Sequence, residues 1–265
     1  RSSMAKVIIK DLKNMKKEYS KERKTCIDNV AEAVIEEKPM EEVDVAVLLD
    51  RFAYARSVDI ATYERNKEAA LEETKTIIFC KNTDRICVFT NTGQMHMLKV
   101  LDLPFGKFRD KGIPIDNISK FDSSKEDILL IESVENLRGK QVLFGTEQGM
   151  LKKVDGEEFD VSKRSTAATK LVDSDQLLLC AVVSDTDTIV MHSKRQVFLR
   201  ILVSSIPNKK KAAIGVRGMK LEKTDILEMI YLVNDENENT IQVKGKPLAL
   251  NRLHIGTRDT KGVKK

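Results

Sequence analysis

An internal repeat with a period of about 50 residues runs through most of this amino-acid sequence and limits the folds that it can adopt. Five segments each resemble a β-hairpin: a strand, a tight turn, and a second strand that ends near a basic residue. They span 45–58, 86–100, 141–154, 189–202 and 241–253. The residues at the turn exits, Ala53, Gly93, Gly149, Gln196 and Gly245, are spaced by 40, 56, 47 and 49 positions. Glycine at three of these sites is typical of a turn that needs a positive φ.

A second marker recurs between the hairpins, where an acidic residue precedes an apolar strand. The acidic positions Asp127, Asp175 and Asp225 lie 48 and 50 residues apart. A weaker version of this element stands at 71–79, and none follows the last hairpin. Two independent markers that keep one period predict the four-stranded blades of a propeller.

Composition narrows the kind of propeller. The chain has no Trp and only 12 glycines in 265 residues, which excludes WD40 blades and argues against other glycine-dense blades. Because aromatic residues make up only 5%, we expect thin blades packed through Ile, Leu, Val and Met. The prediction is an all-β, five-bladed propeller, closed by N- and C-terminal pieces. The N-terminal piece would be a strand within 27–37.

Charge divides the chain unevenly. Residues 1–24 carry nine basic and three acidic side chains, and residues 25–75 carry six and thirteen. An apolar stripe from Met4 to Tyr19 has helical spacing, so residues 1–24 are predicted to form an amphipathic helix. Its basic side chains are either a nucleic-acid arm or, as we favour, the solvated face of the helix. The propeller is then expected over 25–265.

Basic residues also recur with the repeat, which predicts a track of cations around the rim. One set follows the hairpin turns at nearly equivalent positions, and a second set lies between each hairpin and the next apolar strand. The first is Arg56, Lys99, Lys152 with its neighbour Lys153, Arg200 and Arg252; the second is Lys107, Arg109, Lys111, Lys163, Arg164, Lys209, Lys210, Lys211 and Arg217. The alternative is that strand ends are basic for solubility and edge protection.

Such a track fits duplex DNA better than single strands, because no aromatic residues alternate with the cations to stack on bases. Phosphate contacts without base readout are non-specific in sequence and strongly salt-dependent. A duplex held against a convex rim must also bend. Bending 20–30 base pairs by 40–90° costs about 1–6 kcal/mol, which several phosphate contacts can offset.

Catalytic, metal and nucleotide sites are not expected. Tyr63 beside Arg65 has the residue types of a nucleophile with an electrostatic partner, but it lies in a polar connector. The three recurring Asp residues are better explained as turn caps than as metal ligands. The chain has no GxxxxGK loop for ATP. No apolar run approaches the length of a membrane span, and a cytoplasmic, nucleoid-associated location is expected.

Several motifs resemble the C-terminal β-pinwheel domain of bacterial type IIA DNA topoisomerase A subunits. The segment DLKNMKKEYSKERKT at 11–25 is similar to the family's junction helix, whose Tyr-x-x-x-Arg-Arg/Lys-Thr pattern matches Tyr19 to Thr25. DRFAYARSVD at 50–59 is similar to the first blade of the family. Gly149 to Lys153 fits the family's blade motif, Gly-x-hydrophobic-x-Lys/Arg, and residues 215–230 are similar to the second half of its repeat.

The resemblance implies a β-pinwheel that binds and bends or wraps duplex DNA on its outer rim, without catalysis of its own. Partners would be the DNA-cleaving body of the same polypeptide and a separate ATPase, the B subunit, with ATP and Mg²⁺ handled by those other parts. Gyrase A subunits carry a Gln-Arg-Arg-Gly-Gly-Arg-Gly box, for which Gly106 to Gly112, GKFRDKG, is the candidate here. It lacks the Gly-Gly pair and adds Asp110. With five blades counted, this favours a topoisomerase IV-like subunit that works in relaxation and decatenation, with a gyrase carrying a divergent box as the alternative.

A different class of function also fits the sequence. The acidic block 25–75 would suit a propeller that serves as a platform for a basic protein partner. Reversing the charge of rim residues separates the two hypotheses, because only the DNA hypothesis predicts a loss of DNA binding.

Overall fold

The computed structural model describes residues 2–22, 25, 41–234 and 240–265. The chain forms two compact units, Arg1–Glu41 and Glu42–Lys265. In the first unit, helix α1 (Ser2–Tyr19) has the predicted apolar stripe. Lys16 and Lys17 in its last turn interact favourably with the negative end of the helix dipole. The predicted boundary after residue 24 falls beside residues outside this description, as does the strand expected within 27–37.

Over its described residues, 42–234 and 240–265, the second unit contains four four-stranded antiparallel sheets and a separate two-stranded hairpin. We call the sheets blades 1 to 4. Blade 1 is β3-β1-β2-β6, from β1 (Asp44–Asp50), β2 (Tyr54–Asp59), β3 (Thr74–Lys81) and β6 (Ile113–Pro114). Blade 2 is β10-β5-β4-β7, from β4 (Arg85–Thr90), β5 (Gln94–Lys99), β7 (Ile128–Ser133) and β10 (Ser165–Ala167).

The next two blades repeat this plan. Blade 3 is β11-β8-β9-β14, from β8 (Gln141–Thr146), β9 (Met150–Asp155), β11 (Leu177–Val183) and β14 (Val216–Arg217). Blade 4 is β15-β12-β13-β18, from β12 (Thr188–Ser193), β13 (Val197–Leu202), β15 (Leu227–Val233) and β18 (Val263–Lys264). The fifth blade is represented by the hairpin of β16 (Thr240–Val243) and β17 (Lys246–Ala249).

The five predicted hairpins are therefore confirmed, and so is the conformation of their turns. All five turn-exit residues have a positive φ, from 61° at Ala53 and Gln196 to 78° at Gly149. Ala53 and Gln196 thus adopt the left-handed region without being glycine, which an L-residue does at some cost. The backbone of the tight hairpin, more than the residue type, fixes the turn geometry.

Each repeat completes the preceding blade as well as its own. After the second hairpin strand the chain makes a short 3-10 helix and crosses to the outer edge of the blade before it. These helices are Val100–Asp102, Gly156–Phe159, Val203–Ser205 and Leu250–Arg252. The chain then adds the short outermost strand there and returns to form the next apolar strand. This exchange of strands between neighbouring blades is the β-pinwheel arrangement.

Aliphatic layers between the blades form the core. One cluster joins blades 1 and 2, a second joins blades 2 and 3, and a third joins blades 3 and 4. Central strands such as β1 and β12 are buried on both faces, because a neighbour covers each side. The second layer also holds a small aromatic group, Phe89, Phe144 and Phe159, in edge or tilted contacts.

Blade 1 contains a feature that the repeat does not predict. Helices α2 (Ile60–Arg65) and α3 (Lys67–Glu73) stand between its hairpin and β3, and Asp59 caps α2 by accepting from Thr62 N at 2.7 Å. They cover the face of β1 that carries Ala46 and Leu48. Two smaller helices, α4 (Ile115–Ile118) and α5 (Val134–Leu137), flank β7.

The last strand, β18, pairs with β13 and so completes blade 4. The predicted closure of the fifth blade by a strand within 27–37 stays a prediction, because that segment lies outside the described residues. The fifth hairpin packs against blade 4 through Val243, Leu250, Val190, Phe198 and Val233.

Candidate nucleic-acid interface

Four crossover loops occupy the outer edges of blades 1 to 4. We define them as residues 103–112, 160–164, 206–215 and 253–262, each leading from the second hairpin strand of one blade to the outermost strand of the preceding one. Three of the four have ten residues. The outer rim of the pinwheel is therefore built from these loops and the two- or three-residue strands that follow them.

The same backbone contacts position each of the long loops. Gly106 N donates to Ser57 O at 3.3 Å, and Lys209 N donates to Lys153 O at 2.8 Å. At blade 4, Gly256 N donates to Arg200 O at 2.8 Å. Each of these loops therefore runs along the second hairpin strand of the blade that it covers, in bridges that pair the strands in parallel.

A glycine ends each of the ten-residue loops, and the reason is close contact with that strand. A Cβ at Gly112 would lie 2.6 Å from Ala55 O, one at Gly215 would lie 2.7 Å from Leu151 O, and one at Gly262 would lie 2.6 Å from Phe198 O. Gly215 and Gly262 also have φ of 102° and 72°. Only glycine fits this approach without displacing the loop.

The rim formed in this way is strongly basic. The loops with their outermost strands, residues 103–114, 160–167, 206–217 and 253–264, contain twelve basic and three acidic residues. All three acids are already engaged. Asp110 accepts from Lys107 N at 2.7 Å, Asp160 pairs with Arg85 and Arg138, and Asp259 pairs with Arg217. The charge that this rim presents to solvent is therefore positive.

Most of the predicted site residues lie exposed on this rim or next to it. The exposed ones are Lys99, Lys107, Arg109, Lys111, Lys163, Arg164, Lys209, Lys210, Arg217 and Arg252. Lys211 is half-buried, and its Nζ donates to Glu158 O at 3.1 Å. Binding of DNA by these residues stays a prediction.

The predicted ring of equivalent cations after the hairpin turns is wrong as geometry. Arg56, Lys99, Lys152, Arg200 and Arg252 stand three, six, three, four and seven positions after their turn-exit residues. Arg56 and Lys152 share one face of their strands, whereas Arg200 lies on the opposite face of its own strand. Lys99 is the last residue of β5, and Arg252 lies in a 3-10 helix after β17. Lys99 and Arg252 are exposed, whereas the other three point into the structure.

The inward-pointing cations have partners within the protein. Lys152 is 1% exposed, and its Nζ donates to the carbonyls of Lys210, Lys211 and Ala213. Burial lowers the pKa of Lys152 to about 8, and the nearby Glu158 opposes this shift.

Three further predicted residues are held in similar ways. Lys153 is buried, with its Nζ 2.5 Å from Asp185 Oδ1. The guanidinium of Arg200 donates to the carbonyls of Asn251 and Leu253. Arg56 lies over the Phe108 ring, with Cζ 5.3 Å from the centroid. Arg56, Arg200 and Lys152 therefore hold the segments at the rim instead of lining it. Lys153 differs, because Asp185 lies between β11 and β12, outside the crossover loops.

The candidate box forms the crossover loop of blade 1. Lys107, Arg109 and Lys111 are exposed, whereas Phe108 is buried against Arg56. Asp110 is also exposed, but its carboxylate folds back onto the loop's own backbone. The segment therefore presents three exposed cations to solvent.

Part of the rim at blade 4 was not among the predicted site residues. Arg258, Lys261 and Lys264 belong to the last crossover loop and its outermost strand. The signal that identifies them is the spacing of the loop-ending glycines, since Gly112, Gly215 and Gly262 each stand ten residues into the loop. The period of the hairpins alone does not mark these segments.

The other candidate sites have structural roles. Asp175 Oδ1 accepts from Gln148 N at 3.1 Å, and Asp127 N donates to Asn91 Oδ1 at 3.0 Å, so both fasten a hairpin turn. Among the described residues, no group of His, Cys, Asp and Glu has the arrangement of a metal site. Tyr63 is buried on α2 and makes an edge contact with Phe79. No helix in this part of the chain is long and apolar enough to cross a membrane.

The chain is similar to known proteins in both sequence and fold. Residues 140–184 and 187–234, which contain most of blades 3 and 4, match the family of the DNA gyrase C-terminal domain, a beta-propeller. The DNA gyrase A subunit of Lawsonia intracellularis is 26% identical over 97% of this chain and 34% of its own length. That of Salmonella typhimurium is 26% identical over 98% of the chain and 31% of its own length.

Solved structures agree on the fold. The C-terminal domain of DNA topoisomerase IV superposes with a TM-score of 0.73 at 21% identity, covering 85% of this chain and 73% of that one. The E. coli ParC C-terminal domain gives 0.65 at 17% identity, covering 84% and 94%. The DNA gyrase A C-terminal domain gives 0.53 at 16%, covering 83% and 76%. The chain spans about a third of the length of the curated relatives it matches.

Proposed function

Because this chain carries the β-pinwheel fold of the C-terminal domains of type IIA topoisomerase A subunits, we propose that it binds duplex DNA along its outer rim and bends it. Recognition is non-specific in sequence. The chain itself performs no cleavage, and it serves as the C-terminal domain of the A subunit in an ATP-dependent type II topoisomerase.

The proposal rests on the net positive charge of the crossover loops. Four successive blades present an edge segment with net positive charge, and the acids within those segments are bound internally. Phosphates repeat along a duplex as cations repeat along the rim, so one DNA segment can contact several blades in turn. Contacts of this kind position the backbone without reading bases.

The consequence for DNA is a bend with a strong dependence on salt. Each phosphate neutralised by Lys or Arg makes the slope of log affinity against log salt more negative by about 0.9 for duplex DNA. Bending a site of 20–30 base pairs costs about 1–6 kcal/mol, so the rim must supply contacts on more than one blade. A rim divided among separate blades meets that requirement better than one basic patch.

Within the family, we infer a topoisomerase IV-like subunit working in relaxation and decatenation. The support is the candidate box: it contains Asp110, whose carboxylate accepts from Lys107 N, and it lacks the Gly-Gly pair of the gyrase pattern. A gyrase A protein with a divergent box, acting in negative supercoiling, is the alternative, and the gyrase relatives named above favour it.

The holoenzyme would supply the remaining chemistry. The DNA-cleaving body of the same polypeptide and a separate ATPase, the B subunit, are the partners that this function requires. ATP and Mg²⁺ would be bound by those parts. The holoenzyme would act on DNA in the cytoplasm, in association with the nucleoid.

Titration of the 265-residue chain with a linear duplex at several salt concentrations tests the proposal. We expect a steep negative log–log slope and equal affinities for duplexes of unrelated sequence. Affinity that does not change with salt, or no binding at all, would contradict it.

A second measurement distinguishes the topoisomerase IV-like role from the gyrase role. A nicked plasmid is ligated in the presence of the chain, and its linking number is compared with that of a plasmid ligated alone. Retained positive writhe indicates gyrase-type wrapping. Bending without a change in linking number supports the topoisomerase IV-like role.

A further inference from the structure

One buried lysine lies directly beneath the most basic crossover loop. Lys152 is 1% exposed, and its Nζ donates to Lys210 O at 3.2 Å, Lys211 O at 2.8 Å and Ala213 O at 2.7 Å. An ammonium group has three N–H donors and no acceptor. All three donors are therefore used on a single loop, that of residues 206–215.

These contacts decide which way the loop faces. Three carbonyls within four residues turn inward to one cation, while the side chains of Lys209 and Lys210 lie exposed on the outside. Glu158 completes the support, since its Oε2 accepts from Lys211 N at 2.9 Å. Without the central cation, the three carbonyls would lose this partner.

We propose that Lys152 is a positioning residue for duplex DNA: without touching the DNA, its buried ammonium group holds the 206–215 loop so that Lys209 and Lys210 face the phosphates. The inference rests on the proposed function, because it assigns a role in DNA binding to a residue that DNA cannot reach.

A comparable device recurs at other blades, with different chemistry. Arg56, at the position equivalent to Lys152 in blade 1, lies over Phe108 of the 103–112 loop. In blade 4, Arg200 donates to the carbonyl of Leu253 at the start of the 253–262 loop. Blade 2 has His96 at the equivalent position and only a five-residue loop, and His96 pairs with Glu126 instead. Long loops are thus held by a cation beneath them.

Protonation of Lys152 is coupled to the closed position of the loop. Burial lowers its pKa to about 8, and the groups around the ammonium are the Glu158 carboxylate, the Phe144 ring and the Lys210 and Lys211 backbone. Opening the loop would expose the amine and return its pKa toward the ordinary value of 10.5, so the open state binds more protons between these values. The closed loop is therefore favoured as the pH rises across this window, and deprotonation of Lys152 does not release it.

Folding stability should move in the same direction. The unfolded chain also binds more protons than the folded chain between these two pKa values. The contribution of Lys152 to stability therefore rises with pH across this window. Binding is accordingly compared at one pH, where only the side chain at position 152 differs.

The test measures binding of the full chain to a fluorescent linear duplex at about pH 7, together with the rate of trypsin cleavage after Lys209 to Lys211. The variants are Lys152→Arg, which keeps the charge, and Lys152→Met. Lys153→Met is the matched control, because Lys153 is also buried but pairs with the exposed Asp185.

We expect Lys152→Met to bind about three- to tenfold more weakly than wild type, with trypsin cleaving faster in the loop. Lys152→Arg should lose less affinity than Lys152→Met, and Lys153→Met should bind like wild type. If Lys152→Met does not fold, Lys152→Gln, which keeps two N–H donors but no charge, is measured in its place.

The outcomes separate the two proposals. If wild type binds duplex DNA with a steep salt slope and Lys152→Met both binds and is cleaved like wild type, the role of Lys152 alone is overturned. Equal losses of affinity in Lys152→Met and Lys153→Met overturn it as well. A chain that does not bind duplex DNA overturns both the proposed function and this inference.

Discussion

Basic side chains on the second hairpin strands differ in solvent exposure from those on the crossover loops. Arg56, Lys152 and Arg200 turn inward and donate to, or lie over, the segments that cross above them. Lys107 and Lys209, on the loops themselves, are exposed. Positive charge therefore has two roles in this protein. The strand cations hold the loops in place, and the loop cations form the basic surface of the rim.

The inner connectors sharpen this contrast. Residues 115–133, 168–183 and 218–233, which lead into β7, β11 and β15 and include them, contain five basic and ten acidic residues. The crossover loops with their outermost strands contain twelve basic and three acidic residues. The modest net charge of +5 thus includes a basic outer edge and a more acidic interior path. A polyanion should accordingly bind the outer edge.

The largest expected effect comes from reversing charge on the crossover loops. Changing Lys107, Arg109, Lys209 and Lys210 to Glu should weaken binding to duplex DNA by about a hundredfold or more, since contacts are lost and phosphates are repelled. Fluorescence anisotropy at fixed salt measures this.

The matched control carries the same number of reversals on inner connectors: Lys120, Lys125, Lys170 and Lys223 to Glu. Because both variants have the same net charge, similar losses would show that only the total charge matters. Unchanged binding by the loop variant would instead favour the protein-interaction platform.

A smaller effect is expected from the glycine that ends the 206–215 loop. Gly215→Ala places a Cβ 2.7 Å from Leu151 O at a φ of 102°, so we expect a loss of about 2–4 kcal/mol in unfolding free energy and about tenfold weaker DNA binding. Denaturant unfolding and DNA titration measure the two quantities.

Gly139→Ala is the control for backbone strain. Gly139 also has a positive φ, 68°, but its Cβ would meet nothing within 4 Å, and it lies outside the crossover loops. It should cost about 1–2 kcal/mol and leave DNA binding unchanged. Equal effects of the two variants would contradict the close contact at Gly215.

Neutralising one exposed lysine should have a still smaller effect. Lys209→Ala should weaken binding severalfold and reduce the salt slope by about 1, as the loss of one phosphate contact requires. The slope, taken from titrations at several salt concentrations, distinguishes this from a general loss of fold. An unchanged slope would place Lys209 away from the DNA.

The smallest effect is a gain. Asp110→Asn removes a negative charge from the 103–112 loop and keeps an acceptor for Lys107 N, so binding should tighten about two- to threefold. Asp173→Asn, on an exposed inner connector, is the control and should change affinity less. If both variants gain equally, the effect is one of net charge and not of the rim.

Much of the fold was predictable because the repeat is written in short-range signals. The hairpins at 86–100 and 141–154 have tight turns with glycine at the exit, and strand alternation and turn chemistry act over a few residues. Helices α2 and α3 were not predicted, since they interrupt the repeat only once and cover a face that other blades bury against a neighbour.

The rim was only partly predictable for a related reason. A basic residue after a turn gives no sign of its direction unless its exact strand offset is known, and a one-residue change moves it to the other face. Lys152 and Lys153 differ by that one step, and they bind a loop and Asp185, respectively. The last loop, with Arg258 and Lys261, was missed because its strand pairs with blade 4, a contact between residues distant in sequence.

Local propensity and spacing therefore account for the period, the hairpins, the aliphatic blades and the abundance of cations on connecting segments. These features can be recognised in the amino-acid sequence without the fold. Which cations face solvent and which are buried depends on tertiary packing. That choice depends on where a loop from one repeat crosses the strand of another, and such crossings bring together residues far apart in the chain, such as Lys152 and Lys210 at a separation of 58.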